Sequence, residues 1–121
     1  MTGDIVASSD VVYDDGVLRI ARTRPPLNGL VLAGEADEAG YQPLVWALAQ
    51  LTGGNGSGPD EIHLGLSGLL FCDAAALRAM IAPAADGGRR VVLHQPAAAL
   101  RNLIRIAGWD EFPGLTVVTG P

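Results

Sequence analysis

The feature that most constrains the fold of this chain is a regular alternation of strand and helix patterns between residues 30 and 118. Strand patterns occupy residues 30–33, 61–66, 90–93 and 115–118, and a helix pattern separates each strand from the next. Consecutive strands separated by helices require crossover connections, and such strands assemble into a largely parallel sheet covered by helices. The alternation therefore predicts an α/β fold.

An N-terminal hairpin adds to this sheet. Two apolar runs, residues 11–13 and 17–20, flank Asp14-Asp15-Gly16, and glycine accepts the positive φ that a tight hairpin turn needs. Since a hairpin strand joins at an edge, we predict a mixed, mostly parallel sheet of about four to five strands packed against about three helices. Residues 1–10 show no clear periodicity, and we predict that they form a loose tail of a single domain spanning residues 1–121.

Local signals set the expected helix boundaries. Asp37 and Asp73 are suitable N-caps for the first and second helices. Pro43 is tolerable only in a first turn, which places the start of the first helix near Gly40, and Pro83 predicts a kink or an early end of the second. Apolar stripes of helical period give the expected core faces: Tyr41, Leu44, Val45 and Leu48; Leu77, Met80, Ile81 and Ala84; Leu100, Leu103, Ile104 and Ala107.

Composition excludes several classes of protein. Hydrophobic residues make up 49 % of the chain and charged residues 17 %, which is typical of a globular protein. No 18-residue apolar run is present and the N-terminus lacks a signal-peptide pattern, so no membrane span is expected and a cytoplasmic location is predicted. The single cysteine, Cys72, excludes an intrachain disulfide and fits a reducing compartment.

The charged residues and the histidines exclude further functions. A net charge of −5 argues against nonspecific binding of nucleic acid. All eight basic residues are arginines, which excludes a Walker lysine and a Schiff-base lysine. No ligand spacing around His63 and His94 suggests a metal site, and no cofactor motif or nucleophile–base pair is present. The sequence therefore predicts a protein that is not an enzyme.

Three segments carry a family resemblance. The segments are Gly34-Glu35-Ala36-Asp37, residues 61–77, and residues 89–93 followed by 98–109. In order and spacing they resemble the motifs of the STAS family (sulphate transporter and anti-sigma factor antagonist domains). In this family the second helix usually starts Asp-Ser-Ser-Gly-Leu, and a partner kinase phosphorylates the serine after the aspartate. The resemblance implies the STAS fold and a partner-contact surface at Gly34, Glu35, Asp37, Asp73, Ala74, Ala75, Ala76 and Leu77.

The chain departs from the family pattern where the family is regulated. Ala74 and Ala75 stand in place of the two serines, and Gly65 stands in place of an aspartate. A methyl group has no oxygen to attack a γ-phosphate, so the usual phosphosite is lost at Ala74 and phosphorylation there cannot weaken a protein contact.

Three nearby side chains each have two possible roles. Asp73 is either a plain N-cap or a carboxylate presented to a partner, and the two roles are compatible. Cys72 is either a low-pKa thiol near a helix N-terminus or a small buried apolar side chain. Ser67 is either a substitute phosphoacceptor or a serine that satisfies its own loop backbone.

The resemblance implies a non-enzymatic regulatory module for protein–protein interaction, similar to an anti-sigma factor antagonist. Its partner would be an anti-sigma factor of the serine-kinase type or a related signalling protein, and no nucleic acid or membrane partner is expected. The alternative is a STAS domain that senses a nucleotide or another small molecule.

Overall fold

The computed structural model describes residues 5–53, 60–85 and 88–119, and within these residues six strands form one sheet. The strands lie side by side in chain order: β1 (Ala7–Asp14), β2 (Leu18–Thr23), β3 (Gly29–Ala36), β4 (Glu61–Cys72), β5 (Arg90–His94) and β6 (Leu115–Val118). β2 is antiparallel to its two neighbours, β1 and β3, whereas β3 to β6 are parallel. The predicted mixed, mostly parallel α/β sheet is confirmed, with six strands where four to five were expected.

Three α-helices provide the crossovers between the parallel strands of the described chain. They are α1 (Glu38–Thr52), α2 (Ala74–Ala85) and α3 (Ala98–Ile106), and a short 3₁₀ turn, Trp109–Glu111, follows α3. The buried core forms where α1 and α2 cover the sheet, with fully buried side chains that include Leu32, Leu44, Leu64, Leu77, Met80 and Leu93. Among the described residues, no helix is both long enough and apolar enough to cross a membrane.

The N-terminal segment differs from the expected loose tail. β1 begins at Ala7, which pairs with Thr23 of β2, and the Ser8 hydroxyl donates a hydrogen bond of 3.0 Å to the Arg22 carbonyl. Residues 7–10 therefore belong to the sheet. Their pairing partners are more than ten residues away, so local periodicity did not reveal this strand. Residues 1–4 of the predicted tail lie outside the described residues.

β4 is twice as long as the predicted strand and runs to Cys72. Beyond the predicted end at Leu66, residues 68, 69, 71 and 72 still pair with β3. Two shifts of register make this possible, because β4 has one extra residue between Gly65 and Gly68 and another between Leu69 and Phe71. Each extra residue is a β-bulge, which interrupts the alternation of side chains between the two faces.

Both helical prolines lie inside their helices. Asp37 accepts a 3.1 Å hydrogen bond from the Ala39 amide, so α1 begins at Glu38 and the predicted start near Gly40 is wrong. α2 likewise continues past Pro83 to Ala85. A proline removes one helical hydrogen bond, a cost that tertiary packing outweighs in both helices.

Candidate functional site

The starts of α1 and α2 lie next to each other because β3 and β4 are parallel neighbours. The last residues of the two strands, Ala36 and Cys72, are partners in the sheet, and an aspartate follows each of them. The Asp73 amide donates a 3.1 Å hydrogen bond to the Ala36 carbonyl, which holds the two strand ends together. Asp37 and Asp73 therefore begin adjacent helices at one edge of the sheet.

Asp73 has the geometry of an N-cap. Its Oδ1 accepts a 2.8 Å hydrogen bond from the Ala76 amide, and its carbonyl accepts a 3.0 Å bond from the Leu77 amide. The first bond satisfies one of the amide groups that a helix start leaves without a partner, and the second is the first hydrogen bond of the helix itself. The cap role is thus confirmed, and the half-buried carboxylate also borders the surface.

Exposure divides the residues of the α2 start into two groups. Ala74 and Ala75 are exposed, whereas Ala76 and Leu77 are fully buried in the core. A buried side chain cannot contact a partner unless the helix moves, so the expected contact surface loses Ala76 and Leu77. The remaining residues that reach the surface here are Asp73, Ala74 and Ala75.

The close approach of neighbouring backbone in the sheet explains why position 34 is a glycine. Its φ is +99°, and a Cβ atom at this position would lie 2.0 Å from the Val17 carbonyl oxygen. The Glu35 amide donates a 2.9 Å hydrogen bond to that same oxygen, so β2 must approach β3 closely here. Only glycine fits this approach. Glu35 itself is exposed at the same edge as Asp73.

A cleft of about 570 Å³ separates the starts of the two helices. Its walls are formed by Glu38, Tyr41 and Gln42 of α1 and by Asp73 and Ala75 at the start of α2. The three α1 residues were not among the predicted site residues, because the predicted helix start lay later and Tyr41 was expected in the core. Tyr41 is half-buried. Together with Glu35 and Asp37, the carboxylates of this cleft form an acidic surface.

Comparison with protein families decides the identity of this fold. The protein-family model described as "Mlab, STAS domain" (STAS_2) matches residues 22–119 of this chain. The matched segment includes both capping aspartates and the whole parallel part of the sheet. The chain is a STAS domain. A search of curated proteins found no match to it.

The turn between β1 and β2 lies near the start of α1, since the charge of Asp37 acts on Tyr13. Asp15 accepts hydrogen bonds from the Leu18 and Val17 amides, of 2.8 and 2.9 Å, and these bonds lower the pKa of its carboxyl group. The Tyr13 hydroxyl donates a 2.9 Å bond to Asp15, which raises the pKa of Tyr13, and the nearby charge of Asp37 adds to the rise. The turn therefore adds negative charge close to the start of α1.

Cys72 is a structural residue of this STAS domain. Burial, and to a smaller extent the charge of Asp73, raises the pKa of its thiol to about 12. A thiol with this pKa is protonated at neutral pH and is a poor nucleophile. Ser67 is exposed but lies within β4 instead of a loop.

The two histidines lie away from the cleft, on neighbouring strands. The His63 Nδ1 lies 2.8 Å from the His94 Nε2, and the His63 Nε2 lies 3.0 Å from a Glu61 oxygen. Within the described ranges, no group of three or more histidine, cysteine or acidic side chains is arranged to hold a metal ion. The two imidazoles and the carboxylate instead form one hydrogen-bonded chain.

Proposed function

We propose that this STAS domain is a regulatory docking module similar to an anti-sigma factor antagonist, with a serine-kinase-type anti-sigma factor or a related signalling protein as its partner. The observation that carries the proposal is the exposed Ala74 directly after the capping Asp73, at the position of the family's phosphorylated serine. The acidic surface around it, formed by Glu35, Asp37, Glu38 and Asp73, would be the contact surface.

Alanine at position 74 removes the usual switch and leaves the helix start intact. The Asp73 cap is made by backbone and carboxylate atoms, so it does not depend on the residue at position 74. We infer a module that stays competent for binding and is controlled by its abundance in the cytoplasm. STAS domains are in general non-catalytic, and methyl groups beside a capping carboxylate offer no nucleophile to a substrate.

Phosphorylation is the direct test. The wild-type domain and the Ala74→Ser variant would each be incubated with the serine-kinase-type anti-sigma factors of the source genome and ATP, and the products analysed by intact-mass spectrometry. We expect binding of one such factor by both proteins and a gain of one phosphate by Ala74→Ser alone. Binding of none of these factors by the wild-type domain would refute the proposal. A phosphate on wild-type Ser67 would show that regulation has moved to another residue.

A groove between α1 and α2 favours a second candidate, the sensing of a small molecule. The groove measures about 380 Å³ and has mainly apolar walls, which include Val45, Leu48, Ala79 and Pro83, with Arg89 at its border. This volume lies within the range of small-molecule sites, roughly 300–1,000 Å³. A ligand that binds only the folded protein must raise the melting temperature, so a thermal shift with ATP, GTP or a metabolite set tests this candidate.

A further inference from the structure

The second bulge of β4 exposes two apolar side chains in succession. Leu70 is 79 % exposed and Phe71 is 51 % exposed. In a regular strand one of two neighbouring side chains would face the core, but Leu70 is the extra residue between the pairs Gly34–Leu69 and Glu35–Phe71. Bulges of this kind commonly redirect side chains next to functional sites.

An apolar groove lies between this bulge and α3. It measures about 140 Å³; Leu70 and Phe71 are on one side, Ala99 and Leu103 are on the other, and the buried Leu69 and Leu100 lie at its base. The groove is open because β4 pairs with β5 only as far as Gly65, which leaves the end of β4 without a strand on that side.

The apolar surface continues along α3. Ala99, Leu103 and Ile106 recur at intervals of four and three residues, so they share one stripe of the helix. Ile106 is 72 % exposed at the far end of that stripe. A stripe of this length matches one side of a short amphipathic helix better than it matches a small ligand.

Charge around the groove indicates what would bind there. Glu35 is the β3 partner of Phe71, and Asp73 lies two residues after Phe71, so two carboxylates border the groove near the start of α2. Arg78 lies further along α2, where its guanidinium is 5.8 Å from the centre of the Trp109 ring. Arg101 and Arg105 lie on the other side of α3, in a depression that they share with Asp110 and Val117. A partner with basic side chains is therefore favoured, whereas an anionic lipid surface would be repelled.

We propose that the Leu70–Phe71 groove receives an amphipathic basic helix of a partner protein. One apolar side chain of that helix would enter between Phe71 and Leu103, and its basic side chains would face Glu35 and Asp73. The inference rests on the proposed function, since it assumes a protein partner at this edge of the sheet. It adds that apolar residues beside the α2 start, which sequence analysis did not identify, anchor the contact.

Peptide titration followed by ¹⁵N NMR tests the groove directly. The probes are a 14-residue helical peptide of leucine and lysine in amphipathic order and a matched peptide with every lysine replaced by glutamate. We expect the lysine peptide to shift the amide signals of residues 69–73 and 97–103 and to bind at least tenfold more tightly than the glutamate peptide. The double variant Leu70→Ser/Phe71→Ser should lose at least tenfold in affinity.

Trp46→Ser is the matched control, because Trp46 is an aromatic residue on α1 with nearly the same exposure as Phe71, 54 % against 51 %. It should bind the lysine peptide as the wild type does, and thermal melts establish that every variant is folded. Signal shifts elsewhere, equal binding of both peptides, or equal losses in both variants would overturn the inference. Self-association that the double variant abolishes would also overturn it, because the groove would then belong to a second copy.

These experiments distinguish a failure of the groove inference from a failure of the proposed function. If an anti-sigma factor binds the wild type and the double variant equally well, the groove inference is wrong and the proposed function stands. If no anti-sigma factor binds but the lysine peptide occupies the groove, the proposed partner is wrong and the groove remains a site for a basic helix.

Discussion

Replacement of Asp73 by alanine tests the local reasoning about the α2 start. The change removes the carboxylate that accepts the 2.8 Å bond from the Ala76 amide, in a helix whose third and fourth residues, Ala76 and Leu77, are fully buried. Loss of an N-cap side chain costs about 0.5–2 kcal/mol of stability. Because this bond is short and its acceptor is charged, we expect a loss in the upper part of that range, about 1–2 kcal/mol.

Chemical denaturation measures the effect. Urea unfolding, followed by tryptophan fluorescence and circular dichroism, should give a lower midpoint for Asp73→Ala with an unchanged denaturant slope. For a domain of this size the melting temperature should fall by about 4–8 °C. Asp73→Asn is the matched control, since asparagine caps about as well as aspartate, and it should lose less than about 0.7 kcal/mol.

The same measurement can refute the argument. Equal losses in Asp73→Asn and Asp73→Ala would show that charge matters at this position and capping does not. A loss below about 0.3 kcal/mol in Asp73→Ala would show that packing of Leu77 alone holds the helix start, since cap removal normally costs more. Asp37→Ala provides an independent comparison, because Asp37 caps α1 through a longer bond of 3.1 Å.

Two further predictions concern Gly34 and Cys72. Gly34→Ala should destabilise the fold by more than about 3 kcal/mol in urea unfolding, because its Cβ would overlap the Val17 carbonyl; Gly16→Ala is the control, since its φ is also positive but its Cβ position is open, and it should cost about 1 kcal/mol. Equal losses in both would contradict the steric argument. With a pKa of about 12 against the ordinary 9.0, the Cys72 thiol holds its proton while the unfolded chain releases it, so stability should fall as the pH rises from about 9 toward 12 and stay unaffected below that window. Ellman's reagent at pH 8 should react slowly with the native protein and fast in urea, and rapid native reaction would contradict the assignment.

Features that depend on nearby residues were predictable from the sequence. The caps at Asp37 and Asp73 act over two or three residues, so the sequence around each aspartate contains the whole signal. The order of strands and helices follows from hydrophobic period in the same way. The absence of a hydroxyl group at position 74 follows from the residue type alone.

Features that depend on pairing across the sheet were not predictable. The strand that begins at Ala7 and the long β4 exist because distant residues hydrogen-bond to them. Apolar identity predicts burial for Leu70 and Phe71, yet the bulge exposes both. Ala75 and Ala76 are the same residue type, so residue type did not predict that Ala76 lies in the core while Ala75 faces solvent.

The sequence by itself determined the family, the alternating architecture and the absence of a phosphoacceptor at position 74, because each is carried by residue type and local spacing. Only the tertiary structure decided which residues around the α2 start are exposed and therefore accessible to a partner. Register between β3 and β4 sets that outcome, since one extra residue in β4 turns Leu70 outward and brings Phe71 beside Glu35.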